Sequence, residues 1–384
     1  MAENRNPDTV DIDLMDSLEI ARSINREDTK VAAAVSQVLP DVARAIDLAA
    51  EALRSGGRLG YFGAGTSGKI AILDATDCPQ TFGIDENLIQ SFIAGGDECI
   101  RASVNGAEDN AELAVKDLET FNAGAGDVVV GISASGNPAY VVSVLAEARR
   151  RGAKTVAVTS NPQAKFKPYA DVFINPLVGS EAIDGSSRMK SGSAQKMILN
   201  MISTGAMIRL GKTYENLMID VNVSNEKLYR RALDMIERIT GVNRGVAEKC
   251  LLAADKNVKT ACVMAAMNCL PAEAERLLAQ NDGSLRKVIQ QGGAMIRLGK
   301  TYENLMIDVN VSNEKLYRRA LDMIERITGV NRGVAEKCLL AADKNVKTAC
   351  VMAAMNCLPA EAERLLAQND GSLRKVIQQG KENV

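Results

Sequence analysis

Three loops of this sequence carry residue types suited to holding an anion. The first is Gly63-Ala64-Gly65-Thr66-Ser67-Gly68-Lys69. Glycines let a backbone approach an anion closely, and a helix opening behind them supplies unpaired N–H groups. Thr66 and Ser67 add hydroxyl donors. As GxGxxG the loop fits a dinucleotide site; as GxxxxGK it nearly fits a P-loop, but Ile70 replaces the hydroxyl residue that would hold Mg2+. A tight turn without a ligand is the bland alternative. The second loop, Ser133-Ala134-Ser135-Gly136-Asn137, follows an apolar run and sits where parallel α/β sheets bind ligands. Beside the first, it suits a monophosphate and sugar hydroxyls better than a dinucleotide. The third, Gly185-Ser186-Ser187-Arg188-Met189-Lys190, opens a long helical pattern. It reads either as a capped, solvated helix start or as further anion and sugar contacts, with Lys190 as a point charge.

Composition narrows the chemistry these loops can serve. The 384 residues include no histidine and no tryptophan. A Ser–His–Asp or Cys–His engine and every His-ligated metal site are therefore excluded. Acid–base work must fall to Asp, Glu, Lys, Tyr or Cys. Lys plus Arg total 46 and Asp plus Glu 48, so no basic excess marks a nucleic-acid footprint. No apolar run approaches a membrane span and the polar first residues do not read as a signal peptide, so a cytoplasmic protein without a membrane partner is expected. The eight cysteines form no CxxC pair and sit mostly in apolar helical patterns, as reduced buried thiols do.

The elements that must position the loops follow from periodicity. Residues 12–56 read as helices. Strands are expected at 58–63, 89–96, 127–133, 154–160 and 170–176, with helices at 67–77, 108–121 and 138–151 between them. DVVVGIS (127–133) is continuous and β-branched, as in a buried parallel sheet. Strand–helix alternation predicts an α/β layered domain. From Met189 onward everything reads as helical.

That helical region contains one segment twice. Gly205–Gly292 recurs letter for letter as Gly293–Gly380, an 88-residue offset. Solenoid repeats are shorter and diverge, so a perfect copy reads as a recent or engineered duplication, with a deliberate second binding module as the alternative. At the junction Leu285 and Ile289 stand where Met197 and Met201 stood, so a helix is expected to run through it despite Gly292 and Gly293. The second copy is expected to keep its helices.

Six motifs stand in register, GAGTSGK, LDATDCPQTFG, IAGGDE, NGAEDN, SASGNP and GSSRMKSGSAQK, within a likeness that covers essentially residues 10–292. In these the chain resembles the bacterial N-acetylmuramic acid 6-phosphate etherases, sugar isomerase (SIS) domain proteins related to the glucokinase regulatory protein. The resemblance implies a SIS-type parallel-sheet sandwich (αβα), with an N-terminal helical segment (1–56), the sugar-phosphate domain (57–220) and an all-helical C-terminal region. That region is present in two copies here, 221–292 and 293–384. It implies a carbon–oxygen lyase that cleaves the D-lactyl ether of N-acetylmuramic acid 6-phosphate without metal or organic cofactor. A homodimer whose sites borrow residues across the interface is implied too, with Glu181 and Lys190 as candidates. Phosphosugar contacts are expected from Gly65, Thr66, Ser67, Ser133, Ser135, Asn137, Glu181, Ser186 and Lys190. A non-catalytic sugar-phosphate regulator, and a duplication variant with impaired activity, are the alternatives.

Matched motif to motif, the catalytic base falls on Glu108 and the acid on Asp77, where the family has glutamate. The residues agree with those roles in principle. Pro79 should end its helix at Cys78, leaving Asp77 at the negative helix end, which favours the protonated form an acid needs. Glu108 is expected near the positive start of its own helix, which favours the carboxylate a base needs. Asp74 is the nearest alternative acid, with a structural role the simpler reading.

Overall fold

β1 (Leu59–Gly63) pairs in parallel with both β2 (Ile89–Ile93) and β3 (Val128–Ile132), and Gly63 lies level with Ile93 on one side and Ile132 on the other. β4 (Lys154–Val158) and β5 (Val172–Ile174) extend the sheet in the order β2-β1-β3-β4-β5, all strands parallel. This is a computed structural model describing residues 5–102, 104–221, 223, 225–297, 301–302, 305–307, 311, 314–369 and 371–382. Every residue of β1 and β3 is buried. Alternation along the strands sends Leu59, Tyr61, Val128 and Val130 to one core and Phe62 and Val129 to the other.

Helices cover both faces, making an αβα sandwich. On one face lie α1 (Ser17–Ser36), α2 (Leu39–Arg54), α3 (Gly65–Phe82) and α7 (Lys190–Arg209). On the other lie α5 (Ala111–Phe121) and α6 (Ala139–Arg150), with α4 (Glu98–Arg101) a single turn after β2. α1 starts at a capping box, in which Asp16 accepts from the Glu19 N–H and the Glu19 side chain answers the Asp16 N–H.

Two sequence expectations change here. α3 does not stop at Cys78; it continues through Pro79 to Phe82. Side chains engage carbonyls around the proline: the Cys78 thiol reaches the Asp74 carbonyl at 3.3 Å and the Thr81 hydroxyl the Asp77 carbonyl at 2.8 Å. The region after Met189 is not wholly helical. A hairpin of β6 (Thr213–Tyr214) and β7 (Leu217–Met218) follows α7, turning through Glu215 at φ +53°. Two-residue strands are too short to show an alternating pattern.

Residues 1–222 form one compact unit and 223–384 another. The second unit holds α8 (Glu226–Thr240), α9 (Arg244–Ala253), α10 (Val258–Met267), α11 (Pro271–Ala279) and α12 (Leu285–Arg297). The hairpin β8 (Thr301–Tyr302) and β9 (Leu305–Met306) comes next. Then follow α13 (Glu314–Thr328), α14 (Arg332–Ala341), α15 (Val346–Met355), α16 (Pro359–Gln368) and α17 (Leu373–Glu382). α12 runs through Gly292 and Gly293, as its apolar stripe predicts, and the second copy repeats the helices of the first. No helix among the described residues is long and apolar enough to cross a membrane.

Candidate functional site

From β1 the chain first steps sideways to β2 and later returns to the other side at β3. The loops leaving β1 and β3 therefore diverge and open a crevice at the carboxyl edge of the sheet, where parallel α/β folds bind ligands. The first and second loops are those two loops.

The first loop is shaped by close approach. A Cβ on Gly63 would sit 2.7 Å from the Gly68 nitrogen, so only glycine lets the strand end touch the first turn of α3. Ala64 precedes α3 and offers no side-chain cap. The first-turn N–H groups of α3, with Thr66 and buried Ser67, thus face the crevice edge without a built-in acceptor from the cap position.

The second loop is held from below. Buried Ser133 accepts from the Gly136 N–H at 3.0 Å, and Ser135 Oγ from the Asn137 N–H at 3.4 Å. The Asn161 amide donates to the Ser135 carbonyl at 2.8 Å, and the Thr159 hydroxyl to the Ala134 carbonyl at 3.0 Å. Gly136 has φ +67° and would place a Cβ 2.3 Å from that of Ala164. Asn137 is exposed and Ser135 half-buried.

The third loop approaches through α7. A Cβ on Gly192 would meet the Thr66 methyl at 3.7 Å and Ile70 at 3.4 Å, so the starts of α3 and α7 pack together. Ser186 is half-buried, and its carbonyl accepts from the Met189 N–H at 3.4 Å just before α7. Glu181 is fully buried, and its two oxygens accept from the Lys190 and Ser191 N–H groups at 2.8 and 2.9 Å. The Lys190 ammonium is buried against Glu27 at 2.7 Å. The polar atoms of Glu181 and the charge of Lys190 are therefore engaged by protein.

Glu108 lies in a 3-10 turn, Ala107–Asp109, and not inside a helix; α5 starts at Ala111 with Asn110 as its cap. Gly106, at φ +79°, breaks the chain before the turn. The turn packs on the loop leaving β2, where a Cβ on Gly95 would meet the Ala107 Cβ at 3.0 Å. Glu108 is thus exposed at the carboxyl edge, on the same side as the loops. Asp77 is exposed on α3, twelve residues beyond Gly65, which is about 18 Å along the helix axis. α3 runs back toward the amino edge so that the chain can enter β2. The loops after β1 and β3, with Gly65, Thr66, Ser67, Ser133, Ser135 and Asn137, and the turn with Glu108 thus all stand at the carboxyl edge of the sheet, whereas Asp77 lies toward the other end of α3.

Asp74, one turn earlier, is buried and pairs with Lys196 of α7 at 3.1 Å. Burial first, and then the charge of Asp74, push the neighbouring Cys78 thiol up to about 12. Sequence reasoning missed Lys196 and Glu27. For Glu27 a signal existed: Ser23, Glu27, Val31 and Val35 are the buried stripe of α1, and a glutamate at that spacing needs a partner. Among the described residues, no group of three or more His, Cys, Asp or Glu side chains is placed to hold a metal.

The pattern of the glucokinase regulatory protein N-terminal SIS domain matches residues 41–149, and that of the SIS domain residues 108–204. The pattern of the C-terminal lid domain of glucokinase regulatory protein matches twice, at 215–259 and 303–347, once in each repeat. An N-acetylmuramic acid 6-phosphate etherase of Erwinia tasmaniensis is 47% identical over 290 residues, covering 76% of this chain and 95% of that one. The chain belongs to the N-acetylmuramic acid 6-phosphate etherase family. The etherase of Colwellia psychrerythraea is 46% identical over 291 residues, 76% of this chain and 94% of that relative. A phosphoheptose isomerase structure from Francisella tularensis overlies 50% of this chain and all of its own, with TM-score 0.40 and 16% identity. In this etherase-family chain all eight cysteines are free thiols.

Proposed function

We propose that this chain is a carbon–oxygen lyase that converts N-acetylmuramic acid 6-phosphate to N-acetylglucosamine 6-phosphate and D-lactate, in the cytoplasmic recycling of cell-wall sugar. The observation that carries this reading is the 47% identity to an etherase spanned over 95% of its length. The geometry supports it. The phosphate docks at the uncapped N-terminus of α3, on the N–H groups of the first turn and the hydroxyls of Thr66 and Ser67. Ser133, Ser135, Asn137 and Ser186 line the sugar. Glu108 removes the C2 proton, the C3–O bond breaks, and the acid protonates the departing lactyl oxygen. Water then adds its hydroxyl at C3 while C2 regains a proton from Glu108. No step calls for a cofactor.

The acid in this reading is Asp77 of the partner subunit in a homodimer. The separation of about 18 Å from the phosphate end of α3 exceeds what one hexose phosphate spans. Asp77 is exposed, and Leu73, one turn earlier on the same helix face, is 51% exposed, an apolar neighbour suited to a subunit contact. Mixing Glu108→Gln and Asp77→Asn chains tests both roles. If sites are shared, subunit exchange restores D-lactate release to about a quarter of wild type, because half of the dimers then hold one complete site. No restoration removes the shared site.

A non-catalytic phosphosugar regulator is the second reading, favoured by the matches to glucokinase regulatory protein patterns. Phosphosugar binding without D-lactate release would select it. The letter-for-letter repeat supports a recent or engineered duplication. A duplication variant of impaired activity would release D-lactate faster once 293–380 is removed.

A further inference from the structure

The unused charge in the first unit is the pair between Glu27 of α1 and Lys190 of α7, whose side chains are 1% and 2% exposed. Taking two ions out of water costs several kcal/mol each, and an apolar pair of similar volume commonly serves stability as well or better. Such a pair asks for another reason to be present. Its surroundings supply one. Glu27 also accepts from Lys30 at 2.6 Å, and Lys30 reaches Asp8 at 3.0 Å. Asn6 donates to the Ser180 carbonyl at 3.2 Å and Thr9 to the Ala182 carbonyl at 2.8 Å. The residues on either side of Glu181 are therefore tied to the N-terminal segment, while Glu181 itself closes the first two N–H groups of α7.

We propose that Glu27 is a positioning residue of the phosphosugar site: with Asn6 and Thr9 it fixes the 180–190 segment and, through Lys190, the start of α7. Resting on the phosphosugar reading, this takes Lys190 and Glu181 out of contact with the ligand. The two helix starts then divide the work. α7, whose end is satisfied by the Glu181 carboxylate, is a wall that carries Ser186 and packs Gly192 against Thr66. α3, without a cap side chain, is left to take the phosphate. The N-terminal segment becomes part of the site without touching the sugar. A loosened wall lets Thr66 and Ser186 drift, which weakens binding of the ground state and transition state alike and so raises KM more than it lowers kcat.

The test uses the full-length chain with Glu27→Gln, Lys190→Met, the double variant, and Asn6→Ala/Thr9→Ala, the last in case the buried changes prevent folding. Amide hydrogen exchange across 181–192 reads positioning directly and does not depend on what the protein binds. Exchange there is expected to quicken at least about tenfold in Glu27→Gln and measurably in Asn6→Ala/Thr9→Ala, the strap variant. KM for N-acetylmuramic acid 6-phosphate and the calorimetric Kd for N-acetylglucosamine 6-phosphate should each rise about tenfold, with kcat within about twofold. The double variant, which removes the same contact and leaves no lone charge, should bind within about threefold of Glu27→Gln, the two losses not adding. Unchanged exchange in Glu27→Gln or the strap variant would overturn the proposal. So would a double variant that binds like wild type, since a stranded charge would then explain the single variants, or a Lys190→Met Kd more than about tenfold above that of Glu27→Gln, since Lys190 would then be touching the ligand. If the wild type neither releases D-lactate nor binds N-acetylglucosamine 6-phosphate, the lyase reading fails while the exchange data still decide the positioning role.

Discussion

Glu27 shows how much a single buried carboxylate is asked to do. Burial raises its pKa, but hydrogen bonds from Lys190, Lys30 and Asn6 outweigh that and hold it at about 2, against an ordinary 4.5. A folded-state pKa below the unfolded one contributes stability that is complete above the unfolded value and is lost as pH falls from 4.5 toward 2. The melting temperature of Glu27→Gln should therefore fall less steeply across that window than that of wild type. Thermal unfolding at a series of pH values checks it. Glu108 is the opposite kind of residue, exposed and free of a helix, placed by Gly106 and the packing of Ala107. As a general base it should cost about 100- to 10,000-fold in D-lactate release when changed to glutamine, with N-acetylglucosamine 6-phosphate binding retained. Asp77→Glu should hold or raise the rate while Asp77→Asn loses it, and full D-lactate release by Asp77→Asn would remove Asp77 from the chemistry.

At the scale of elements, α3 carries the tightest constraints. Its first turn must touch the end of β1, and a Cβ on Gly68 would lie 2.5 Å from Ile93 Cγ1 of β2. Gly68→Ala should cost about 1–3 kcal/mol by overpacking, read from urea unfolding, and should weaken phosphosugar binding by displacing Thr66 and Ser67. The same helix accepts a proline that local rules place at a boundary. Pro79 was a poor guide to its end because tertiary burial of Cys78 and Phe82 in the core, together with the Gly83 cap at φ +57°, carries the helix four residues further. Glu108 was misplaced for a related reason: Asn110 competes as a helix cap, and its side chain takes the Glu112 N–H at 2.9 Å.

Over the whole molecule, the repeat is an internal control on what sequence alone can do. Asn257 and Asn345 cap α10 and α15 at 2.9 and 3.0 Å, and each copy has its own buried leucine, isoleucine and cysteine core. Exposure separates the copies. Met267 and Cys269 are 7% exposed, whereas Met355 and Cys357 are half-buried, and Arg319 of the second copy donates to the Asn268 carbonyl of the first at 2.7 Å. The first unit and its crevice are built entirely from residues before the second copy. Deleting 293–380 should therefore leave kcat/KM for D-lactate release at or above that of the full chain. A loss of more than about tenfold would give the second copy a part in catalysis.

The parallel sheet, the three loops and the family were legible without coordinates, because each is written in local pattern: continuous β-branched runs, glycine and hydroxyl spacing, six motifs in order. The repeat was legible because it is identity of letters. What needed the tertiary structure was every relation across distance. The sheet order decides that the loops after β1 and β3 flank one crevice. The length of α3 decides that Asp77 and the first loop of one chain stand apart. The meeting of α1 with α7 decides that Lys190 faces Glu27, 163 residues away in sequence, and not an open anion site. Local preference depends on neighbours along the chain, whereas burial of a charge depends on which helices pack against each other, and no spacing in the sequence records that.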